Sequence, residues 1–344
     1  MSTSTPLRCA VFSARRYDID ALQQASKTLQ SPHKLVFLES GLDETTATLA
    51  HGFDAACLFV NDRGSAEVLE SLKAGGVKVL LLRSAGFNHV DLAAAHRLGM
   101  PVLRVPAYSP DGVAEHAIGM MLTLSRKFHR AFNRVREHNF NLEGLLGFNM
   151  AGKTVGVIGT GKIGLCMCRI LRGFNCHVLA YDVVHNPAAA DLGVRYVSLE
   201  ELLRGSDIIT LHCPLTPDTH HLLNAERLKL TRRGVMIINT SRGALLNTAD
   251  AIDFLRSGHI GTLGLDVYEE EDRLFFRDLS DQILPDDLFS LLLTFPNVLI
   301  TAHQAFFTVE ALTNIAETTI SNLMDFAAGR INPDRQVLPD RVRN

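Results

Sequence analysis

Residues 154–164 read TVGVIGTGKIG, a strongly apolar run that ends in glycines spaced G-x-G-x-x-G. The run predicts a buried strand, and the residues after it predict a helix that begins within the glycine motif. Gly159 permits a tight turn, Gly161 lets the backbone approach a ligand closely, and Gly164 lets the helix pack against the strand. This strand-turn-helix unit indicates a phosphate-binding site at a helix N-terminus.

The next apolar run, NCHVLAYD, ends at Asp182, 18 residues after Gly164. An acidic residue at this place is expected to accept hydrogen bonds from the ribose hydroxyls of an adenosine. Its charge would repel a 2′-phosphate, and Val183 and Val184 follow it rather than an arginine, so NAD is favoured over NADP. A glycine turn without a ligand is the simpler alternative, but the strand, the helix and the acidic residue together argue against it.

Strand-like and helix-like segments alternate along the rest of the 344-residue chain. Apolar runs such as AACLFV, VKVLLLRS, DIITLHCP and GVMIINT are typical of strands buried on both faces of a parallel sheet. The alternation predicts an α/β protein with doubly wound sheets, and the length favours two domains. We also expect one long helix over residues 113–140, a helix opened by a Ser198–Glu201 capping box, and a final helix over residues 308–329 with no strand after it.

Composition and charge exclude several classes of protein. Hydrophobic residues make up 47% and charged residues 21% of the chain, as in an ordinary globular protein. The net charge of −3 argues against a nucleic acid or an anionic membrane as partner, and no apolar stretch is long enough to span a bilayer. The first residues, MSTSTPLR, lack the pattern of a secretory signal.

The chain contains six cysteines, and no two of them form a CxxC pair. Five lie in apolar or strand-like runs and are interpreted as reduced core thiols, which predicts a cytoplasmic protein. Cys166 and Cys168 lie two residues apart in a predicted helix, so their side chains face different directions. We therefore expect no metal site.

Three polar residues in the second half of the chain each follow a strand-like run. Arg242 follows VMIIN, Glu271 follows TLGLDV, and His303 follows NVLIT. The carboxyl ends of parallel strands form the edge at which open α/β sheets bind ligands. We therefore expect these three side chains to lie at one edge of a sheet.

The chemistry of this trio suits a reaction that moves a proton on a small anion. An arginine can pair a carboxylate through two hydrogen bonds, and a histidine can donate a proton near neutral pH. A glutamate bonded to the other ring nitrogen fixes the tautomer of the histidine. Next to a nucleotide motif, the trio indicates a hydride-transfer enzyme. Taken singly, the three could instead be a surface arginine, a helix-capping histidine and one member of a solvated acidic run.

Five motifs resemble those of a known family: GTGKIG, HCPLT, NTSRG, LDVYEEE and HQAF. With this order and spacing the chain resembles the D-specific 2-hydroxyacid dehydrogenases over essentially its whole length, and most closely those that act on D-lactate. The resemblance implies that Arg242 binds the substrate carboxylate and that His303 is the acid and base. Glu271, five residues after Asp266, matches the partner of the histidine. The implied cofactor is NAD.

The resemblance also assigns binding residues. The cofactor set is Gly159, Gly161, Lys162, Ile163, Gly164, Asp182, Cys213, Pro214, Thr219, Thr240 and Asp266. The substrate set is the backbone amides of Ala85 and Gly86 with the side chains of Tyr108, Arg242 and Phe306. The phenylalanine three residues after His303 favours pyruvate, because relatives that act on glycerate usually have small residues there. One departure is Phe59, where some members have a tyrosine, and it leaves the preferred side-chain size open.

The resemblance implies a Rossmann-type NAD-binding domain over residues 108–306 and a flavodoxin-like, discontinuous substrate domain over residues 1–107 and 307–344. It implies reversible hydride transfer that reduces pyruvate to D-lactate, with the fermentative direction expected. It also implies a homo-oligomer, either a dimer or a tetramer. Two alternatives stay open. One is the same reaction on another 2-oxo acid, such as hydroxypyruvate, phenylpyruvate or a branched-chain acid, and the other is a non-catalytic protein that senses NADH.

Overall fold

The computed structural model describes residues 5–339, and the chain divides into two compact units. The first unit comprises Met1–Ser109 and Phe307–Asn344, and the second comprises Pro110–Phe306. Residues 1–4, where the segment tested for a secretory signal begins, and residues 340–344, the end of the predicted substrate domain, lie outside the described residues. Within residues 5–339, no helix has both the length and the apolar character needed to cross a membrane.

The first unit contains a sheet that is parallel except at one edge. Its strands are β1 Arg8–Val11, β2 Lys34–Phe37, β3 Ala55–Leu58, β4 Val79–Leu82, β5 Val102–Leu103 and β13 Gln336–Val337. They lie in the order β13-β5-β4-β3-β1-β2, with β13 antiparallel to β5. The five parallel strands therefore have the 2-1-3-4-5 order of a flavodoxin-like sheet.

Helices bury both faces of this first sheet. They are α1 Arg16–Thr28, α2 Ala66–Ala74, α3 Leu92–Arg97 and α12 Val309–Ala327, with a 3₁₀ turn at Ala47–Ala50. Leu69, Leu72 and Ala94 belong to the core on one face, whereas Leu22 and Ile320 belong to the core on the other. Burial on both faces explains why strands such as AACL and VLLL are apolar at every position.

The second unit contains an entirely parallel sheet within the described residues. Its strands are β6 Thr154–Ile158, β7 His177–Tyr181, β8 Arg195–Tyr196, β9 Ile208–Leu211, β10 Val235–Asn239, β11 Ile260–Leu265 and β12 Val298–Ile300. They lie in the order β12-β11-β10-β9-β6-β7-β8, which is a Rossmann-type order with one added strand. The strand order reverses between β6 and β9, and ligands of such sheets bind at the carboxyl ends of the strands there.

The helices of the second unit follow the expected alternation. They are α4 Pro110–Arg126, α5 Phe128–Arg136, α6 Lys162–Gly173, α7 Pro187–Asp191, α8 Leu199–Gly205, α9 Ala225–Leu228, α10 Thr248–Arg256 and α11 Asp287–Thr294, with 3₁₀ turns at Gly243–Leu245 and Glu271–Arg273. Only the Ser198 half of the predicted capping box is present in the described residues, since Ser198 Oγ accepts from the Glu201 amide at 3.2 Å. The Glu201 carboxylate forms an ion pair with Arg195 at 3.0 Å. The predicted doubly wound α/β class is confirmed.

The single long helix predicted over residues 113–140 is wrong. The helix α4 ends at Arg126, Lys127 adopts a left-handed conformation with φ of 56°, and α5 begins afresh after it. A Cβ on Gly147 would lie 2.1 Å from the carbonyl oxygen of Ser125, so the segment beyond α5 folds back against the end of α4. Lys127 Nζ donates to the carbonyl oxygen of Gly144 at 2.7 Å. Contacts with this returning segment occupy the end of α4 and interrupt the helix.

The prediction that no strand follows the last helix is also wrong. Gln336 pairs with Leu103 and Val337 with Val102, which adds β13 to the edge of the first sheet. Two residues are too few to show an alternating pattern in the sequence. Five of the six cysteines were predicted to be core thiols, and all six are buried and free.

Candidate active site

The glycine motif forms the turn between β6 and α6. Gly159 has φ of +92°, and a Cβ there would lie 2.5 Å from the backbone nitrogen of Cys213. A Cβ on Gly164 would lie 1.9 Å from the carbonyl oxygen of Gly159, so helix and strand pack as closely as predicted. A Cβ on Gly161 would meet nothing within 4 Å, which leaves open space at the start of the helix. The amides of Lys162 and Ile163 begin α6 at this space, and the dipole of the helix favours an anion there.

Asp182 follows β7 and is held by residues that the sequence did not single out. Its Oδ2 accepts from the backbone nitrogen and the hydroxyl of Thr160, at 2.5 and 3.0 Å. Tyr196 Oη donates to Thr160 Oγ1 at 2.8 Å, and the Tyr196 ring stacks on His185. Oδ1 accepts from the Val184 amide at 3.3 Å, and a carboxylate oxygen can accept further hydrogen bonds. Asp182 is thus oriented by the motif itself and retains capacity to accept from ribose hydroxyls.

The remaining cofactor candidates lie in the loops after β9 and β10. Thr219 Oγ1 donates to the carbonyl oxygen of Pro214 at 2.7 Å, which closes the turn after β9. Cys213 is buried, and burial raises the pKa of its thiol to about 12, so this side chain lines the loop as an uncharged thiol. Thr240 Oγ1 is buried and has no hydrogen-bond partner among residues 5–339. An unpaired buried hydroxyl is costly, so Thr240 fits a site that a polar ligand completes.

His303 and Glu271 are in direct contact. His303 Nδ1 donates to Glu271 Oε1 at 2.7 Å, and Glu271 Oε2 accepts from the Tyr268 amide at 3.0 Å. The two side chains are 16% and 15% exposed, so the hydrogen bond is largely shielded from water. Since Nδ1 carries the proton that faces the carboxylate, the other ring nitrogen, Nε2, is the one left to exchange a proton with a ligand.

Asp266 organises the turn that carries the histidine. It is fully buried, its Oδ1 accepts from Thr301 Oγ1 and the Gln304 amide, and its Oδ2 accepts from the Ala305 amide. Burial raises the pKa of Asp266, but hydrogen bonds from His116, Thr301 and Ala305 outweigh it and hold the pKa below its usual value. A charged Asp266 therefore fixes the backbone that follows His303 and the side chain of Thr301 before it.

The backbone of His303 is itself unusual. It has a φ of +52°, a conformation that few residues other than glycine adopt, and its amide donates to the Asp266 carbonyl oxygen at 2.7 Å. Such strain is maintained where the surroundings over-determine it. His116 on α4 lies behind this turn, with Nε2 at 3.1 Å from Thr301 Oγ1. Sequence reasoning missed His116 and Thr301, since neither stands in a motif.

Arg242 lies in the loop after β10, beside the loop that carries Glu271. A Cβ on the neighbouring Gly243 would lie 2.0 Å from the carbonyl carbon of Tyr268, so the two loops are packed backbone to backbone. Arg242 Nη1 donates to the Ser241 carbonyl oxygen at 2.7 Å, and within residues 5–339 no carboxylate is paired with this arginine. Its positive charge is therefore available for an anionic ligand.

An aromatic side chain that the sequence did not assign lies next to the histidine. Phe276, in the segment after Glu271, has its ring centroid 5.8 Å from that of His303. Phe276 therefore places part of this segment beside His303. An apolar ring there lowers local polarity, which strengthens hydrogen bonds to a ligand.

The substrate candidates outside this loop cluster belong mostly to the first unit. Ala85 and Gly86 lie in the loop after β4, and Tyr108 lies beyond β5, where its carbonyl oxygen accepts from Asn314 Nδ2 at 2.6 Å. Phe306 is half-buried, three residues after His303. These four residues stay predictions.

A second group of histidine and glutamate side chains has the composition of a metal site. Nitrogen or oxygen atoms of His220, His221 and Glu269 lie within 4.8 Å of one another. His221 Nε2 donates to Glu269 Oε1, and His221 Nδ1 accepts from Asn247 Nδ2 at 3.2 Å. Glu269 Oε2 accepts from Thr248 Oγ1 at 2.9 Å. These hydrogen bonds use the ligand atoms of His221 and Glu269, which indicates a structural role for this group.

Comparison with known proteins agrees with the fold. Residues 118–305 match the D-isomer specific 2-hydroxyacid dehydrogenase, NAD binding domain. The D-lactate dehydrogenase of Escherichia coli (strain K12) is 53% identical over 331 residues, which cover 96% of this chain and 100% of that protein.

Solved structures give the same result. The apo-structure of D-lactate dehydrogenase from Escherichia coli has a TM-score of 0.87 and 51% identity, with 96% of this chain and 100% of that one covered. The D-lactate dehydrogenase from Aquifex aeolicus, complexed with NAD and lactic acid, has a TM-score of 0.83 and 34% identity, with 93% and 96% covered. The chain belongs to the D-isomer specific 2-hydroxyacid dehydrogenase family and contains its NAD-binding domain.

Proposed function

We propose that the chain is an NAD-dependent D-lactate dehydrogenase that reduces pyruvate to D-lactate. The observation that carries the proposal is the 2.7 Å hydrogen bond between His303 Nδ1 and Glu271 Oε1, in a loop cluster that also holds Arg242. Relatives at about half identity with this function, and the family's NAD-binding domain, support it.

The cofactor residues fit a dinucleotide. The open space at Gly161 and the first amides of α6 suit its pyrophosphate, and Asp182 suits the adenosine ribose. The Thr240 hydroxyl, which has no partner among the described residues, suits a further polar group. When bound, NADH supplies hydride to the carbonyl carbon of the substrate. The carboxylate of Asp182 would repel a 2′-phosphate, so NAD is the proposed cofactor rather than NADP.

Three side chains of the second unit perform the rest of the reaction. Arg242 pairs the substrate carboxylate through two parallel hydrogen bonds. His303 donates the proton on Nε2 to the carbonyl oxygen as the alcohol forms, because Nδ1 is held by Glu271. Glu271 keeps the ring oriented and stabilises the protonated imidazole. In the reverse direction His303 accepts the proton of the lactate hydroxyl, and the physiological direction that we propose is reduction.

The substrate class follows from residues that the resemblance assigns. We propose that the amides of Ala85 and Gly86 also bind the carboxylate, that Tyr108 bonds the substrate, and that Phe306 packs against its methyl group. The first unit would then be the substrate domain and the second the NAD-binding domain. Reduction of hydroxypyruvate, phenylpyruvate or a branched-chain acid is the second candidate, because Phe59 stands where some members have a tyrosine.

Assembly and location are also proposals. The segment from α5 onward exposes large apolar side chains, among them Phe132, Phe140, Leu142 and Leu146, which are 63–89% exposed. A surface of this kind in the second unit supports a homo-oligomer, a dimer or a tetramer. Six free, buried cysteines support a cytoplasmic location.

The decisive experiment is NADH oxidation by the purified protein with pyruvate, hydroxypyruvate, phenylpyruvate and a branched-chain 2-oxo acid. We expect pyruvate to have the highest kcat/KM and the product to be D-lactate alone. A higher kcat/KM for another acid would move the proposal to that substrate. Binding of NADH without turnover of any 2-oxo acid would instead favour the NADH-sensing protein.

A further inference from the structure

The loop after β4 is held by two side chains that bond successive carbonyl groups. Ser84 Oγ donates to the carbonyl oxygen of Gly86 at 2.7 Å. Arg104 Nη1 donates to the carbonyl oxygen of Ala85 at 2.8 Å. All of these residues belong to the first unit, and the proposed function uses the amides of this same loop to bind the substrate carboxylate.

The position of Arg104 does not depend on its side chain. It follows β5, its amide donates to the carbonyl oxygen of Arg335 at 2.8 Å, and its own carbonyl oxygen accepts from Asn322 Nδ2 at 3.2 Å. These backbone contacts come from α12 and from the segment that leads into β13. Its guanidinium also lies over the Phe87 ring, 5.2 Å from the centroid. The side chain is thus a cation directed at the Ala85 loop from a fixed backbone.

A hydrogen bond to a peptide carbonyl changes the amide at the other end of the same peptide group. The carbonyl of Ala85 and the N–H of Gly86 belong to one planar unit and point in opposite directions. A charged donor on the carbonyl withdraws electrons and makes the N–H a stronger donor, an effect of the order of 10–30% per bond in condensed phase. The guanidinium therefore orients and polarises the N–H of Gly86, which would donate a hydrogen bond to the substrate carboxylate.

We propose that Arg104 is a positioning residue for substrate binding, which acts through the Ala85–Gly86 peptide. The inference rests on the proposed function, because it takes the Gly86 amide as a ligand of the substrate carboxylate. The ligand concerned is the carboxylate itself, which every 2-oxo acid carries. The effect of Arg104 is therefore the same for each 2-oxo acid that the enzyme reduces.

The test is Arg104→Met, which keeps the length of the side chain and removes its charge and its donors. We expect KM for pyruvate to rise about 10-fold, as for the loss of a charge-assisted hydrogen bond, with a smaller change in kcat. The affinity for NADH, measured by fluorescence, should stay at the wild-type value, and the midpoint of thermal unfolding should fall by no more than the loss of one hydrogen bond implies. Arg104→Lys, which restores a charge and one donor, should recover part of the loss.

The matched control is Arg97→Met, an arginine of the same unit that is 61% exposed and paired with Glu70 at the surface. It should leave KM for pyruvate unchanged. An Arg104→Met enzyme with wild-type KM would overturn the inference, and so would equal losses in KM, NADH affinity and thermal stability. If Arg104→Met does not fold, the neutral but polar Arg104→Gln decides by the same criteria.

The failure of this inference can be told apart from the failure of the proposed function. The wild-type enzyme is assayed first, and KM is followed on whichever 2-oxo acid it reduces best. A wild type that prefers another acid changes the proposed substrate while Arg104 is still tested on that acid. A wild type that binds NADH and reduces no 2-oxo acid overturns both.

Discussion

Two glutamates of one loop, Glu269 and Glu271, each bind a histidine, and the two pairs differ in what surrounds them. In the pair of Glu269 with His221, both ring nitrogens have partners, because Asn247 donates to Nδ1 while Nε2 donates to the glutamate. In the pair of Glu271 with His303, Nδ1 is bonded at 2.7 Å and Nε2 has no hydrogen-bond partner within residues 5–339.

A group that reacts with a ligand is expected to be the more exposed one, but the pair of His303 with Glu271 is the less exposed of the two. The side chains of His221 and Glu269 are 27% and 23% exposed, against 16% and 15% for His303 and Glu271. The difference lies in hydrogen bonding, since the first pair is saturated by its own chain and the second is left incomplete on one side. A His–Glu pair is therefore a candidate for catalysis when one ring nitrogen is held by a hydrogen bond and the other is not.

The largest difference between the pairs should appear when the histidines are replaced. We expect His303→Gln to lower kcat by ~10²–10⁴-fold, because an amide cannot donate a proton near neutral pH. The matched His221→Gln should lower kcat by less than about 10-fold, since it disturbs only the support of the loop. Steady-state kinetics with saturating NADH measure both, and equal losses in the two variants would contradict the distinction.

Replacing the two glutamates should have smaller effects than replacing the histidines, with kcat affected in one variant and stability in the other. In Glu271→Gln the side chain presents a neutral amide to Nδ1, so the orientation and tautomer of His303 are no longer fixed, and we expect kcat to fall by ~10²-fold. Glu269→Gln should mainly lower the free energy of unfolding, by about 1–2 kcal/mol, because it weakens bonds to His221 and Thr248. Urea unfolding and kcat, measured on both variants, separate the catalytic role of Glu271 from the structural role of Glu269. A lower kcat in Glu269→Gln than in Glu271→Gln would contradict these roles.

The contact between the Arg242 loop and the loop of the two glutamates can be tested next. Gly243→Ala would place a Cβ 2.0 Å from the carbonyl carbon of Tyr268, so the loop that positions Glu271 must shift. We expect kcat to fall by about 10-fold, since small misplacements of reacting groups are costly. Gly119→Ala is the control, because its Cβ meets nothing within 4 Å, and it should stabilise the helix by about 0.5–1 kcal/mol. Wild-type kcat in Gly243→Ala would show that the loops tolerate the shift.

The smallest expected effect concerns Asp266, which holds the turn around His303. Its pKa is lowered in the folded protein. Its contribution to stability is therefore fully present above the pKa of the unfolded chain, about 3.9, and is lost as the pH falls through the pKa of the folded protein. We expect the free energy of unfolding of the wild type to fall more steeply below about pH 4 than that of Asp266→Asn. Urea unfolding between pH 6 and pH 3 measures this, with the exposed Asp253→Asn as control. Parallel curves for wild type and Asp266→Asn would contradict the assignment.

The parts of the fold that could be predicted from sequence are those encoded by local patterns. The glycine motif, the acidic residue at the end of β7 and the polar residues after β10, β11 and β12 all follow from runs of a few neighbouring residues. The break at Lys127 and the strand β13 could not be predicted in this way. Both depend on a distant partner, the returning segment at Gly147 in one case and the edge strand β5 in the other.

The same limit applies to the candidate site. The LDVYEEE motif contains three consecutive glutamates, and its spacing from Asp266 singled out Glu271 only with the help of the family resemblance. What distinguishes Glu269 from Glu271 is the partner of each histidine: Asn247 completes the first pair, while nothing in residues 5–339 bonds Nε2 of the second. No local pattern reports such contacts.

Local sequence patterns were enough to predict the α/β class, the nucleotide motif and the edge of the sheet where Arg242, Glu271 and His303 lie. The reason is that strand ends, glycine turns and apolar periodicity are properties of neighbouring residues. Two features depend on the folded structure: which histidine has a ring nitrogen without a partner among residues 5–339, and which arginine bonds the Ala85 loop. Those outcomes depend on hydrogen bonds between residues far apart in the chain, such as Asn322 with Arg104, which form only once α12 packs against the first sheet.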